Sequence, residues 1–377
     1  MIYLDNAATS KPSALALKAF VEASELYFAN SASPHKAGRE SNRLVESSRS
    51  KILKAVHLEN SHKCLFCSGA TEANNLALKG VAFQYARRGK TIITDMGEHS
   101  SVKNACKELG ERFGYNIVSL PLNEEGKVDP KELEKAMNND VILVSILAVN
   151  NETGAINDVK KLGEIVHKFP KAYFHVDATQ AIGKENFDYN AADLLSFSGH
   201  KFGAPKGTGA LLYKKTIKFV PISNGGEQEN GYRAGTVDVA GCYSLALAFE
   251  DVIKKLKEHR ENASSLMEEL EKGISSIEEC SINSPKGHSP YILNFTLKKK
   301  KASVVVEALS QKEIYISTHS ACDISSNQGS PVLLAMGKSQ EDAENALRVS
   351  FSYESKMEEV ETFLVELKRI LSEIKDR

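Results

Sequence analysis

Short apolar runs recur through the first two thirds of the chain, separated by segments whose apolar residues return at helical spacing. "KCLFC" (63–67), "TIIT" (91–94), "VILVSILAV" (141–149), "AYFHV" (172–176) and "DLLSFS" (193–198) read as strands. Between them, "EANNLALKGVAFQYA" (72–86) and "DPKELEKAM" (129–137) read as helices. Strands that are apolar throughout, in alternation with helices, predict a mostly parallel sheet covered on both faces. From about residue 243 the texture changes. Residues 245–277 are charged and helically periodic, which predicts one long connecting helix. Beyond it "YILNFTL", "EIYIS" and "LRVSFS" read as strands among helices. The last helix carries Val360, Phe363, Leu364, Leu367, Leu371 and Ile374 on one face. The expected architecture is α/β: a large domain over 15–250 with helices flanking the sheet, and a smaller α+β domain from 1–14 and 251–377.

Composition narrows the function more than the fold. A chain of 377 residues is long for one core, which agrees with two domains. The formal net charge of −1 leaves no electrostatic footprint for nucleic acid, and the run Lys298–Lys301 reads as a solvated turn. No apolar stretch approaches the length of a membrane span, and "MIYLDNAATS" lacks the basic and apolar regions of a secretory signal. Six scattered cysteines do not read as a disulfide framework, so a reducing cytoplasm is the expected setting.

Ligands of an open parallel sheet bind beyond the carboxyl ends of its strands, so the polar residues that follow each apolar run are the ones to inspect. After "KCLFC" comes "SGATEANN", small residues opening a helix, where free N–H groups suit a phosphate. After "TIIT" comes Glu98-His99, and after "VILVSILAV" comes Asn150-Asn151. "AYFHV" is followed by Asp177 and Gln180, and "DLLSFS" by His200 and Lys201. Taken singly, each is as well read as a cap, a surface loop or a satisfied core residue. Together they match what pyridoxal phosphate needs: a lysine for its imine, an anion site for its phosphate and a carboxylate facing its ring nitrogen. Two features lie further on. Cys322 stands in "STHSACDISSNQGSP" (317–331), a polar segment whose composition predicts an exposed, mobile loop. Its thiolate is a nucleophile in one reading and an ordinary surface cysteine in the other. Arg348 interrupts the apolar "LRVSFS", where its planar fork suits either an amino-acid carboxylate or a plain ion pair. "CLFC" has redox or zinc spacing but no second pair, and packing within a strand explains it as well.

These motifs run in order almost end to end: "YLDNAATS", "HKAGRE", "SGATEANN", "EHSSV", "VNNETG", "HVDATQAIGK", "SFSGHKFGAPKG", "GYRAGT", "SAC" and "LRVSFS". The set resembles the NifS/IscS-type cysteine desulfurases, within the class V aminotransferase family of fold-type I pyridoxal phosphate enzymes. The resemblance implies that Lys201 is the imine lysine, Asp177 the partner of the ring nitrogen and His99 the stacking acid/base. It implies that Ala70, Thr71, Ser198 and His200 hold the phosphate, with Thr236 reaching across from the second subunit of a homodimer. Asn151 and Gln180 would contact ring substituents, Arg348 the carboxylate of L-cysteine, and Cys322 would accept its sulfur. Alanine leaves, and the persulfide passes to a scaffold or acceptor protein for iron–sulfur assembly or tRNA thiolation. The distance from Cys322 to "AMG" (335–337) looks like that of the longer-loop members, which hand sulfur directly to a scaffold. Three departures from the family pattern bear on efficiency and acceptor choice: Thr318-His319 before Ser320-Ala321-Cys322, Asn230 where an arginine is usual, and Asn30-Ser31-Ala32-Ser33 early in the chain. Competing expectations are a selenocysteine lyase or aminotransferase-like relative, and a catalytically silent partner in sulfur assembly.

Overall fold

The computed structural model describes residues 1–318 and 329–374. Its strands, in chain order, are β1 (Ile2–Tyr3), β2 (His62–Cys67), β3 (Thr91–Asp95), β4 (Asn116–Leu120), β5 (Val141–Leu147), β6 (Tyr173–Asp177), β7 (Leu194–Ser198) and β8 (Gly209–Lys214). They continue with β9 (Cys280–Ile282), β10 (Ile292–Leu297), β11 (Ile314–Tyr315) and β12 (Ala346–Ser350). The central sheet has the order β2-β8-β7-β6-β5-β3-β4. Its strands pair in parallel except β8, which runs antiparallel to both β2 and β7. Each strand run anticipated from the apolar pattern in this region is present, within a residue or two at its ends. Every residue of β5 is buried, as a central strand covered on both faces requires.

The remaining strands form a β12-β10-β9 antiparallel sheet and a parallel β1–β11 pair. Leu4 and Ala7 from the N-terminus pack into the same apolar cluster as Leu266, Phe295, Leu347 and Phe363, so the two ends of the chain share a core. The expected single helix over 245–277 is two, Val239–Lys254 and Leu256–Ser275, broken at Lys255 (φ −96°, ψ 7°). The first helix is sunk in the core beside the central sheet, whereas the second buries one face against the C-terminal core. A change of packing partner, not a breaker residue, turns the chain there. Among the described residues, no helix is long and apolar enough to cross a membrane.

Candidate active site

Ends of five strands and the folded-back N-terminus meet at a cavity of about 200 Å³. The helix after β2 brings Ala70 and Thr71 to it; His99 follows β3, Asn151 follows β5, Asp177 closes β6 and Gln180 follows it. Ser198 closes β7, with His200 and Lys201 in the turn beyond, and Arg348 projects from β12. All but two of the residues that the resemblance assigns to the site, Thr236 and Cys322, therefore line one space. Thr236 is exposed and lies elsewhere on the chain, in a cleft shared with Tyr27, Phe28 and Asn30. Cys322 lies outside the described residues, as do His319, Ser320 and Ala321.

The N-terminal segment forms one wall. Lys201 Nζ donates to the carbonyls of Ala7 and Ala8, each at 2.7 Å, and Gln180 Nε2 donates to Ala7 at 2.9 Å. On the opposite side Ser198 Oγ accepts from Ala70 N–H at 2.7 Å. This corner is tight: a Cβ on Gly209 would stand 2.6 Å from Gly69 Cα, so glycine is required for the strand and the turn to approach. His200 Nδ1 lies 3.1 Å from Thr9 Oγ1; burial, and then Lys201, pulls its pKa down to about 4, so the ring is neutral. His99 caps helix Ser100–Phe113, its Nδ1 accepting from Ser101 N–H at 3.2 Å. A neutral His99 ring held that way carries its proton on Nε2.

Two buried charges define the ends of the cavity. Asp177 accepts from Asn74 Nδ2 at 2.8 Å and from Thr179 N–H at 2.9 Å. Among the described residues no cationic side chain pairs with it, so its charge suits a cationic guest such as a protonated ring nitrogen. Arg348, only 1 % exposed, donates from Nη1 to Asn151 O at 2.9 Å and from Nη2 to Asp5 Oδ1 at 2.8 Å. Its Nε has no partner among the described residues, which suits an anionic guest. An amine, an anion-binding turn, an unpaired carboxylate and a guanidinium around one small space fit pyridoxal phosphate with an amino acid attached.

Sequence reasoning missed Lys184. It is buried, donates to Gln180 Oε1 at 2.8 Å, and burial followed by repulsion from Lys201 pulls its pKa down to about 7. The signal was available as a lysine four residues after Gln180, closing a stretch from Ala178 to Gly183 that carries no charge. Asp5 was also missed, because its partner lies at the other end of the chain. The redox or zinc reading of "CLFC" is corrected. Cys64 and Cys67 pack into different apolar clusters on opposite faces of β2, and burial pushes the Cys64 thiol up to about 12.

The chain matches the class-V aminotransferase family over residues 2–363. A cysteine desulfurase IscS of Dictyoglomus turgidum is 38% identical to it over 384 residues, covering 99% of this chain and 95% of that protein. Among solved structures, a NifS-like protein superposes with a TM-score of 0.92 at 34% identity, covering 99% of this chain and 100% of that one. SspA in complex with cysteine superposes with a TM-score of 0.79 at 29% identity, covering 93% and 99%.

Proposed function

Because the chain belongs to the class-V aminotransferase family, on its NifS/IscS-type cysteine desulfurase branch, we propose that it converts L-cysteine to L-alanine and keeps the sulfur as a persulfide on Cys322. The observation that carries this reading is the convergence of Lys201, Asp177 and Arg348 on one cavity. Pyridoxal phosphate, when bound, withdraws electrons from the attached amino acid and so activates its sulfur toward attack. Lys201 Nζ, oriented by the carbonyls of Ala7 and Ala8, is the amine that anchors the cofactor and then moves a proton at the substrate Cα. Asp177 would hold the ring nitrogen, and His99 would lie against the ring and move a proton through Nε2. Ala70, Thr71, Ser198 and His200 would hold the phosphate; Asn151 and Gln180 would contact ring substituents. Arg348 takes the substrate carboxylate, which fixes the thiol end toward the approach of Cys322.

Cys322 thiolate attacks the substrate sulfur. An S–S bond forms as the C–S bond breaks, the electron pair stays with the carbon fragment, and protonation of that carbon yields alanine. The persulfide then passes to an acceptor protein in the cytoplasm, for iron–sulfur assembly or tRNA thiolation. The working unit is a homodimer. Leu17, Val21 and Phe28, at 47%, 54% and 81% exposure, form an apolar stripe beside the cleft that holds Thr236. A second copy covering that stripe supports the delivery of Thr236 to the neighbouring phosphate.

The test is direct. The chain loaded with pyridoxal phosphate and given L-cysteine forms alanine, and the Cys322 peptide gains the mass of sulfur. Cys322→Ser keeps the cofactor's absorption and forms no persulfide. Undiminished sulfur release by that variant would overturn the reading.

A further inference from the structure

Beneath the cavity lies a run of buried polar side chains that reaches it at Asp177 and, at its far end, through the backbone of His99. Strand parity puts them there. Ser145 stands opposite His175 in the β5–β6 pairing, and Asp177 stands opposite Ser196 in the β6–β7 pairing. His175 and Asp177, two residues apart, share one face of the sheet. Asn74, from the helix above that face, joins Ser196 to Asp177.

Donor and acceptor counts place the protons along this run. Asn74 Nδ2 is 2.8 Å from Asp177 Oδ2 and 2.9 Å from Ser101 Oγ. An ionised carboxylate only accepts, so the amide nitrogen faces it and Asn74 Oδ1 accepts from Ser196 Oγ at 2.5 Å. A hydroxyl has one proton, so Ser196 in turn accepts from His175, and the proton of the neutral ring is on Nε2. His175 Nδ1 then accepts from Ser145 Oγ at 2.8 Å. With its proton used there, Ser145 can meet Glu98 Oε1, 3.4 Å away, only as an acceptor. Glu98 Oε2 accepts from His99 N–H at 3.3 Å. With Ser145 already donating to His175, a proton on Glu98 Oε1 is what closes that long contact while Oε2 accepts, and this is the pattern of a neutral acid.

One other arrangement satisfies every contact: the proton moves across Ser145, giving a His175 cation and a Glu98 anion. Burial disfavours it. Glu98 is 3% exposed and Ser145, His175, Ser196 and Asn74 are fully buried, so separated charges there would be stripped of water. Burial pushes the Glu98 carboxyl well up, reinforced by Asp95 and Asp177 and opposed by the His99 N–H and Lys103. Asp95 is itself pushed up to about 7 by burial, and the buried Cys106 thiol and the adjoining His99 ring also stand beside Glu98. Burial pulls His175 down to about 4, with Asp177 opposing.

We propose that Glu98 is a positioning residue held as the neutral acid, which through Ser145, His175, Ser196 and Asn74 keeps a cation away from the underside of Asp177 and leaves that carboxylate's charge for the ring nitrogen of the bound cofactor. The inference rests on the pyridoxal phosphate reading above. Among the described residues, both hydrogen bonds that Asp177 receives come from neutral donors, so a bound ring nitrogen would be its counter-charge.

The protonation state is read by solid-state 15N spectra of the histidine-labelled full chain, with and without pyridoxal phosphate, the His175 signals being those lost in His175→Gln. The expected result at neutral pH is a neutral ring protonated on Nε2. A doubly protonated ring, or a proton on Nδ1 alone, overturns the proposal. Two variants read the consequence through the pH midpoint of the cofactor's absorption and its Kd. Glu98→Gln presents an N–H to Ser145 and an oxygen to His99 N–H, so its midpoint stays at the parent's. Ser196→Ala cuts the run, moves the midpoint and weakens the cofactor about tenfold, as expected for losing the orientation of one hydrogen bond to a charged group. A midpoint that shifts equally in Glu98→Gln would mean an ionised Glu98 and overturns the proposal. A parent chain that takes up no cofactor would remove the reading it rests on, while the spectrum of His175 still decides where the proton sits.

Discussion

Replacing Arg348 with lysine probes the substrate end of the cavity. The guanidinium is 1 % exposed, with Nη1 2.9 Å from Asn151 O, Nη2 2.8 Å from Asp5 and Nε without a partner among the described residues. An ammonium keeps the charge but loses the planar fork, so a bound carboxylate gives up one of two parallel charge-assisted bonds. Such a bond contributes about 1.5–3 kcal/mol. At about 1.4 kcal/mol per factor of ten, KM for L-cysteine rises roughly ten- to hundredfold. The groups assigned to chemistry, Lys201, His99 and Cys322, are untouched, so kcat falls by no more than about threefold. Lysine also leaves Asp5 or the Asn151 carbonyl short of a donor, costing about 1–3 kcal/mol of stability, which a chain of this size tolerates. Alanine formation against cysteine concentration gives both constants, and the cofactor's absorption reports that the rest of the site is intact. An unchanged KM with that absorption intact would mean that Arg348 only ties β12 to Asp5 and Asn151, and that the carboxylate binds elsewhere.

Glu229 receives both arms of Arg49, at 2.9 and 3.0 Å, and the Phe66 N–H at 3.0 Å, while its own side chain is 3% exposed. Glu229→Gln leaves a mostly buried guanidinium with only the exposed Glu46 as counter-charge and lowers stability to urea by about 3 kcal/mol; a loss under about 1 kcal/mol, as for a surface pair, would refute that assignment. Phe28→Asp puts a charge into the exposed apolar stripe, and the expected outcome is that the proposed dimer sediments as monomer, with loss of turnover; an unchanged sedimentation profile would place the subunit contact elsewhere. Alkylation of the native chain modifies Cys322 and spares Cys64, Cys67, Cys106, Cys242 and Cys280, all buried, with thiols that burial pushes up. Rapid labelling of Cys64 or Cys67 would revive a redox role for β2.

Where function depends on the ends of strands, the sequence was readable. Asp177, His99 and Lys201 each follow an apolar run, and a parallel sheet brings such positions together whatever the loops do. Less visible was anything that depends on orientation or on distant folding. β4 sits at the sheet edge with a half-exposed pattern, and "GALLYK" of β8 follows a glycine-rich turn, so neither stood out; composition cannot show that β8 runs antiparallel. The wall made by Ala7 and Ala8 lies more than 170 positions from Gln180 and Lys201, and nothing local announces it. One clue was overlooked. Residues three apart on a strand point to opposite faces, which already argued against joint chemistry for Cys64 and Cys67. The break at Lys255 was hidden for a different reason: both helices keep helical periodicity while their buried faces turn to different cores.

Two lysines stand near the cavity, the partly buried Lys201 lining it and the buried Lys184 behind Gln180. Borohydride reduction of the chain with pyridoxal phosphate, followed by peptide mass analysis, asks which of them forms the covalent link. The expected result is one added cofactor mass, on the peptide containing Lys201. A modification on Lys184 instead, or none on either peptide with cofactor in excess, would contradict the assignment of Lys201 and the chemistry built on it.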